Sequence, residues 1–230
     1  MMKYRKPRVD ELKVVARLNA ESFADYPLCD EIRGEFNDQA SFVEFLTEVF
    51  QVYIGAYYKK SVVFIGEEDN QIKSVAILDR PDSREIGLLD YFGAGAFRLF
   101  KTVSIIKVYK FLKILNEGHE PSKGAKKGAW FLESLAVDNS CRGQRLGSRM
   151  LTDCIIPYIK RESKGDTLAS FVTFTNSELN RSFYTKNGFT EFDYTTIERN
   201  GKTIGNWSFK MSVAPAKVKL QVPSSTRVYA

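Results

Sequence analysis

The sequence predicts an α/β (α+β) fold: a mixed central sheet of about six to seven strands flanked by helices, with a helical insertion before the central strand. Three observations carry this. Seven short stretches read as strands and are interleaved with stretches of helical period. Two turn signals, Glu68-Asp69-Asn70 and Asn200-Gly201, each sit between strand-like runs. After Val137 a short polar loop and a glycine-bearing turn convert a strand directly into an amphipathic helix.

In order, Lys3 to Val9 reads as a strand, followed by a helix from about Asp10, with Asp10 as N-cap. Val14, Val15, Leu18 and Phe23 recur there at helical spacing. The run from Phe23 to Pro27 breaks that helix. A second helix follows from Asp38 to about Tyr53, with Phe42, Phe45, Leu46, Val49 and Phe50 as its apolar stripe. Ser61–Glu67 and Gln71–Leu78 form a hairpin. Residues 84–117 are the insertion. Within it, Gly93-Ala94-Gly95 separates two apolar stretches, and Phe97 to Leu115 is helical in period, with Lys107, Lys110 and Lys113 on a polar side. Such a helix either packs on the domain or lies on a membrane surface; the former is expected. Pro121 to Gly128 reads as a flexible polar loop. The central strand is Ala129–Val137. The next helix runs through Met150, Leu151, Cys154 and Ile155, with Pro157 kinking or tightening it. Leu168–Thr175, Thr190–Arg199 and Lys202–Ser212 complete the strands. A helix beginning near Ser177 lies between the first two of these. Residues 1–213 are expected to be one domain and 214–230 a tail.

Bulk properties narrow the function. The 230 residues suffice for one well-buried domain. The net charge of +6 suits a polyanionic ligand and is too modest to argue for nucleic acid. Cys29, Cys141 and Cys154 are widely spaced and odd in number, which argues against a disulfide framework and for a reducing compartment. The N-terminus lacks an apolar signal region, and no apolar run is long enough to span a bilayer. A cytoplasmic location is therefore expected. No cluster has metal-ligand spacing.

The turn Arg142-Gly143-Gln144-Arg145-Leu146-Gly147 carries the chemistry. The first-turn N–H groups of the helix it opens lack intrahelical partners and sit at the positive end of the helix dipole. That is a site for phosphate or pyrophosphate. Gly143 and Gly147 let phosphates approach the main chain, and Arg142 adds a planar charged donor. The spacing fits neither a P-loop nor a dinucleotide-binding fingerprint.

This turn resembles motif A of the GNAT N-acetyltransferase superfamily, whose pattern Arg/Gln-x-x-Gly-x-Gly/Ala holds the pyrophosphate of acetyl-CoA. Arg145 stands where that pattern has its first glycine. In a helical first turn its side chain would point outward and add charge near the phosphates. The run Asn180-Arg181-Ser182-Phe183-Tyr184-Thr185-Lys186-Asn187-Gly188-Phe189 is similar to the second signature, Asn-x-x-Phe-Tyr-x-x-x-Gly-Phe. Gly188 takes the place where a helix C′ residue needs positive φ. The resemblance covers Trp130 to Met211 best. Within the superfamily, the Ala129-Trp-Phe-Leu run looks most like the puromycin N-acetyltransferase-like branch.

The resemblance implies the GNAT fold, acetyl-CoA as cosubstrate without a metal, and direct acetyl transfer to a primary amine. Arg142, Gly143, Gln144, Arg145, Leu146, Gly147 and Ser148 would hold the CoA. Main chain at Leu135, Ala136 and Val137 would polarise the thioester where the strand splays from its neighbour. Asn180, and secondarily Asn176, would bond the pantetheine arm. Tyr184 would protonate the departing thiolate; a buried tyrosine with a satisfied hydroxyl is the competing role. Glu133, on the central strand in period 2 with Phe131 and Leu135, is the chosen base, with a raised pKa from an apolar wall. Alternatively it is a buried ion-pair partner, and the base is a water chain. His119, the only histidine, either lines the acceptor pocket or is solvated. The expected acceptor is a small-molecule amine, with a homodimer compatible and no nucleic acid or membrane partner. A protein acceptor, a non-catalytic acyl-CoA-binding domain and a nucleic-acid module are the competing functions.

Overall fold

The computed structural model describes residues 1–99, 104–119, 123–163, 168–199 and 201–215. The expected tail beyond residue 215, Asn200 of the last turn, and residues 100–103 and 120–122 lie outside the described residues.

A seven-stranded sheet has the order β1-β2-β3-β4-β5-β7-β6. The strands are β1 (Lys3–Arg5), β2 (Val62–Glu68), β3 (Gln71–Asp79), β4 (Trp130–Val137), β5 (Ala169–Thr175), β6 (Thr190–Arg199) and β7 (Lys202–Val213). Every pairing is antiparallel except β4 with β5. The β2–β3 turn is made by Asp69 and Asn70, both with positive φ, the geometry that matches strand twist.

On one face lie α1 (Leu12–Phe23) and α3 (Gln39–Lys60), with α2 (Pro27–Asp30) between them in sequence. Their apolar stripe, including Phe42, Leu46 and Ile54, is fully buried against Ile65, Val75, Ile77 and Ala136 of the sheet. On the other face a continuous helical run packs on Phe64, Leu78, Leu132, Phe171 and Phe209. It comprises α7 (Leu146–Arg149), a π turn (Met150–Ile155) and α8 (Ile156–Glu162). Pro157 has no N–H to donate, so the i→i−4 ladder cannot pass through it unbroken; the wider π turn lies just before it.

Several expectations are corrected. The first strand ends at Arg5, and Asp10 is not the cap. A 3₁₀ turn (Val9–Glu11) precedes α1, and Glu11 reaches back to accept from the Arg8 N–H at 2.7 Å. Arg5 fixes that carboxylate with two 2.7 Å bonds, which leaves Asp10 in solvent. Val14 is 55% exposed, so the α1 stripe is Val15, Ala16 and Leu18. Asp38 does cap α3, accepting from Ser41 N–H at 2.7 Å, but the helix runs past Tyr53 to Lys60.

The insertion is not one helix from Phe97. It holds α4 (Leu88–Gly93), a 3₁₀ turn (Ala96–Arg98) and α5 (Ile105–His119). The α5 helix buries Val108, Phe111 and Ile114 in the α1–α3 core. Lys107 donates to the Glu35 carbonyl, and Lys110 pairs with the Glu35 carboxylate at 2.7 Å, so this basic side is tied to the domain. Asn206 on β7 holds the C-terminus of α5 through the Gly118 carbonyl at 2.7 Å. The expected loop before β4 instead contains a short helix, α6 (Lys123–Lys126).

Two irregularities of β4 position the site. Its parallel ladder with β5 has only two registered pairs, Trp130 with Phe171 and Phe131 with Val172. Beyond them the Leu132 carbonyl still accepts from the Thr173 hydroxyl at 3.0 Å, and then the strands part, so the β4 edge after Leu132 faces a gap. Against β3 the register slips: Leu78 faces Leu132 and Ile77 faces Ser134, so Glu133 is the extra residue of a bulge. The bulge reverses the alternation. Trp130 and Leu132 face the α7–α8 side before it, while Leu135 does so after it. Phe131 and Leu135 therefore lie on opposite faces, contrary to the period-2 expectation.

Candidate functional site

The gap between β4 and β5 opens into two adjoining spaces. The outer is a cleft of about 510 Å³ running from the Arg142–Ser148 turn along β4. The inner is a smaller cavity of about 90 Å³ that reaches Glu133 and His119. Phe23, Tyr26, Leu135, Asn180 and Tyr184 line both, so these five residues form the passage between them.

The outer cleft is built on main chain. Asp138 starts the loop after β4: its carboxylate accepts from the Ser140 N–H at 2.9 Å and the Ser140 hydroxyl at 2.7 Å, and Lys73 stands 3.5 Å from it. Those bonds hold its carboxyl below the usual range, the Ser140 hydroxyl contributing most. The chain then turns through Gly143, φ +83, and Arg145, φ +59. Arg145 is the N-cap of α7 in left-handed backbone, outside the helical turn where its side chain was expected to point outward. A glycine fits this conformation without a Cβ clash, which explains the glycine in the general pattern; an arginine holds it at a cost of about 1 kcal/mol or more. Gly147 serves a different purpose from Gly143. A Cβ there would meet the Phe183 ring at 3.2 Å, so its missing side chain lets α7 sit against the Tyr184 helix, α9 (Glu178–Lys186).

Of the residues expected to hold CoA, Leu135, Val137, Arg142, Gly143, Arg145, Leu146, Gly147, Ser148 and Asn180 line this cleft. Gln144 does not, and Ala136 is buried in the opposite core. Asn176 lines only the inner cavity. Its amide donates to the Gly205 carbonyl at 3.0 Å, and its own N–H donates to the Tyr26 hydroxyl at 2.6 Å. Its side chain fastens the end of β5 to β7, with the Tyr26 hydroxyl 3.4 Å from its Oδ1.

Tyr184 projects from α9 into the passage. Its ring is packed among Phe183, Phe189 and Phe209 and is 7% exposed. Burial pushes its phenol up to about 12, opposed by the Thr173 hydroxyl. Gly188, φ +86, ends α9 as expected and returns the chain into β6.

The inner cavity is built on side chains. The Glu133 side chain is 1% exposed. Tyr53 Oη donates to its Oε1 at 2.8 Å, Lys126 Nζ stands 3.3 Å from its Oε2, and His119 Nδ1 is 3.6 Å from Oε1. Lys126 also meets Asp79 at 2.7 Å and lies over the Phe131 ring. Burial alone would raise the Glu133 pKa, but His119, Lys126 and the hydroxyls of Tyr53 and Tyr57 outweigh it, and the net direction is down. The raised pKa expected of an apolar wall is thus corrected: the wall is polar where Glu133 meets it. Asp79 moves the other way, raised by burial and by the Glu133 charge. His119 lines the cavity, edge-on to Phe174 with ring centroids 4.7 Å apart. Cys29 also reaches this cavity, but burial pushes its thiol up to about 12, which leaves it a poor nucleophile.

Tyr53, Lys126 and Asp79 were not singled out from the sequence. The Tyr53/Tyr57 pair, four apart on α3, was the available signal. Lys126 sits in a lysine-rich loop pattern that reads as solvated.

Residues 105–191 match the family model of the acetyltransferase (GNAT) domain. No curated protein sequence matches the chain significantly. Solved structures share the fold at low identity. A histone acetyltransferase HPA2 and related acetyltransferase from Corynebacterium glutamicum gives a TM-score of 0.58 at 17% identity, over 95% of this chain and 99% of that one. A polyamine N-acetyltransferase from Drosophila melanogaster that forms N-acetylagmatine gives 0.55 at 14%, over 92% and 100%. A ribosomal-protein alanine N-acetyltransferase from Escherichia coli gives 0.52 at 11%, over 96% and 99%.

Proposed function

We propose that this chain, whose residues 105–191 match the GNAT acetyltransferase domain model, transfers an acetyl group directly from acetyl-CoA to a primary amine of a small molecule. The observation that supports this most is the passage: Tyr184 lines both the outer cleft and the inner cavity, and the other tyrosine there, Tyr26, has its hydroxyl engaged by the Asn176 N–H and by Thr175. A molecule that only bound acyl-CoA would need the cleft but not a second cavity with a buried carboxylate beyond it.

The N–H groups at the start of α7 and the Arg142 guanidinium hold the pyrophosphate. The pantetheine lies along the unpaired edge of β4, with Asn180 beside it, and main-chain N–H at Leu135–Val137 polarises the thioester oxygen. The acceptor nitrogen attacks the carbonyl carbon. As the C–N bond forms and the C–S bond breaks, Tyr184 gives its proton to the leaving sulfur. With its pKa raised, this phenol stays protonated through the working range.

The proton from the amine goes to the Glu133–His119 pair. Tyr53 and Lys126 engage the Glu133 oxygens, and these partners together with His119 hold its pKa down against burial. His119, in the cavity wall 3.6 Å from Glu133, receives the proton. The enclosed cavity and the α5 wall favour a small acceptor over a protein N-terminus.

Calorimetry of acetyl-CoA with wild type and Gly147→Trp tests the cleft, and thiol release over an amine panel tests transfer. Micromolar binding lost in the variant, with circular dichroism unchanged and thiol release on at least one amine, is the expected result. No binding to wild type would refute the proposal.

A further inference from the structure

A third space adjoins the inner cavity. It is a groove of about 240 Å³ between α3, α4 and α5. Phe50, Tyr53 and Leu115 line both this groove and the inner cavity, so the two share a wall at the end where Tyr53 Oη bonds Glu133. Its floor is Val52, Leu99 and Phe111, all buried. Its mouth is unusually apolar for surface: Leu88 is 75% exposed, Phe92 48%, Tyr109 68% and Leu112 44%. The described residues that line it include no carboxylate, amide or cationic side chain.

We propose that this groove holds the apolar body of the acceptor, so that the acceptor class is a primary amine bearing an aryl or branched-alkyl group and no second cation. The inference rests on the transferase proposal above. Its physical basis is the contrast along the path. Among the described residues that line the two spaces, Glu133 is the one carboxylate for the ammonium end of an acceptor to meet. A second ammonium or guanidinium placed in the groove would lose its hydration with no charge to meet it, which is strongly unfavourable. An aryl or branched-alkyl body there would instead bury apolar surface on both sides, and one methylene in such a pocket is worth roughly tenfold in discrimination.

The test compares phenethylamine and isopentylamine with putrescine, spermidine and agmatine by thiol release, together with Leu112→Asp and Phe92→Asp. Both substituted positions are exposed, and circular dichroism checks that the variants fold. The expected result is a KM at least about tenfold lower for the apolar amines. A rise of about tenfold or more in that KM is expected in the variants, with the acetyl-CoA Kd unchanged. Preference for a diamine overturns the inference, as does a KM indifferent to both substitutions. Acetyl-CoA binding with no apolar amine bound or turned over also overturns it and leaves the cleft intact; loss of acetyl-CoA binding removes the transferase proposal itself. A shift from dimer to monomer in Leu112→Asp with unchanged KM would assign the groove to a second copy of the chain.

Discussion

The outer cleft and the inner cavity solve their tasks with different materials. The cleft is made by backbone: a splayed strand edge, a turn with two left-handed residues and a helix start. The cavity is made by side chains drawn from α2, α3, α5, β4 and β5, and the charges of His119, Lys126 and Asp79 offset one another around Glu133. A backbone site tolerates many side chains and binds one constant ligand. A side-chain site can change its ligand by changing residues, and function resides there.

That difference can be broken from the cavity side first. Glu133→Ala removes the anion at the centre of a buried cluster, leaves Lys126 with Asp79 alone and takes the acceptor from the Tyr53 hydroxyl, so a loss of about 1–3 kcal/mol is expected in urea unfolding. The acetyl-CoA Kd should remain near wild type if the fold is retained in buffer. His119→Gln keeps the shape and removes the proton acceptor. It should lower kcat by about 10²-fold or more without moving the acetyl-CoA Kd.

On the cleft side, Arg142→Ala should weaken acetyl-CoA by about tenfold or more, the worth of a charge-assisted bond, and leave thermal stability unchanged. Arg145→Gly sharpens the distinction between backbone and side chain. Glycine adopts the left-handed turn without strain, so stability should hold or rise by up to about 1 kcal/mol, and the acetyl-CoA Kd should change less than in Arg142→Ala.

The smallest effect lies outside both regions. The Arg5 hydrogen bonds hold the Glu11 carboxyl down to about 2, from an ordinary 4.5. A depressed carboxylate stabilises the fold above its unfolded pKa, and that stability is lost as pH falls. Thermal unfolding midpoints should therefore decline from pH 4.5 towards 2, and Glu11→Gln should flatten that slope.

What was legible in the sequence follows the same division. The Arg142–Gly147 turn, Gly188 at the end of α9, the Asp38 cap and the Asp69-Asn70 turn are local signals, because left-handed backbone and unpaired N–H groups must be met by nearby residues. The Glu133 bulge was not legible. Its extra residue leaves the run Trp130–Val137 looking like an ordinary strand, and only contacts from Tyr53, Lys126 and His119, distant in sequence or across a loop, distinguish it. Lys126 was hidden for the same reason: its carboxylate partners are on strands β3 and β4. Arg145 shows the limit of pattern matching, since its position is set by φ and not by the residue type the pattern prefers.

The central claim is that Tyr184, in the passage between the two spaces, is the acid. The most direct measurement is the kcat of Tyr184→Phe with an amine the wild type acetylates, alongside acetyl-CoA calorimetry and circular dichroism. A fall in kcat of about 10²-fold or more is predicted, with acetyl-CoA affinity and fold retained. A kcat equal to wild type would contradict the account, because Tyr184 would then be no more than a packed ring between two cavities.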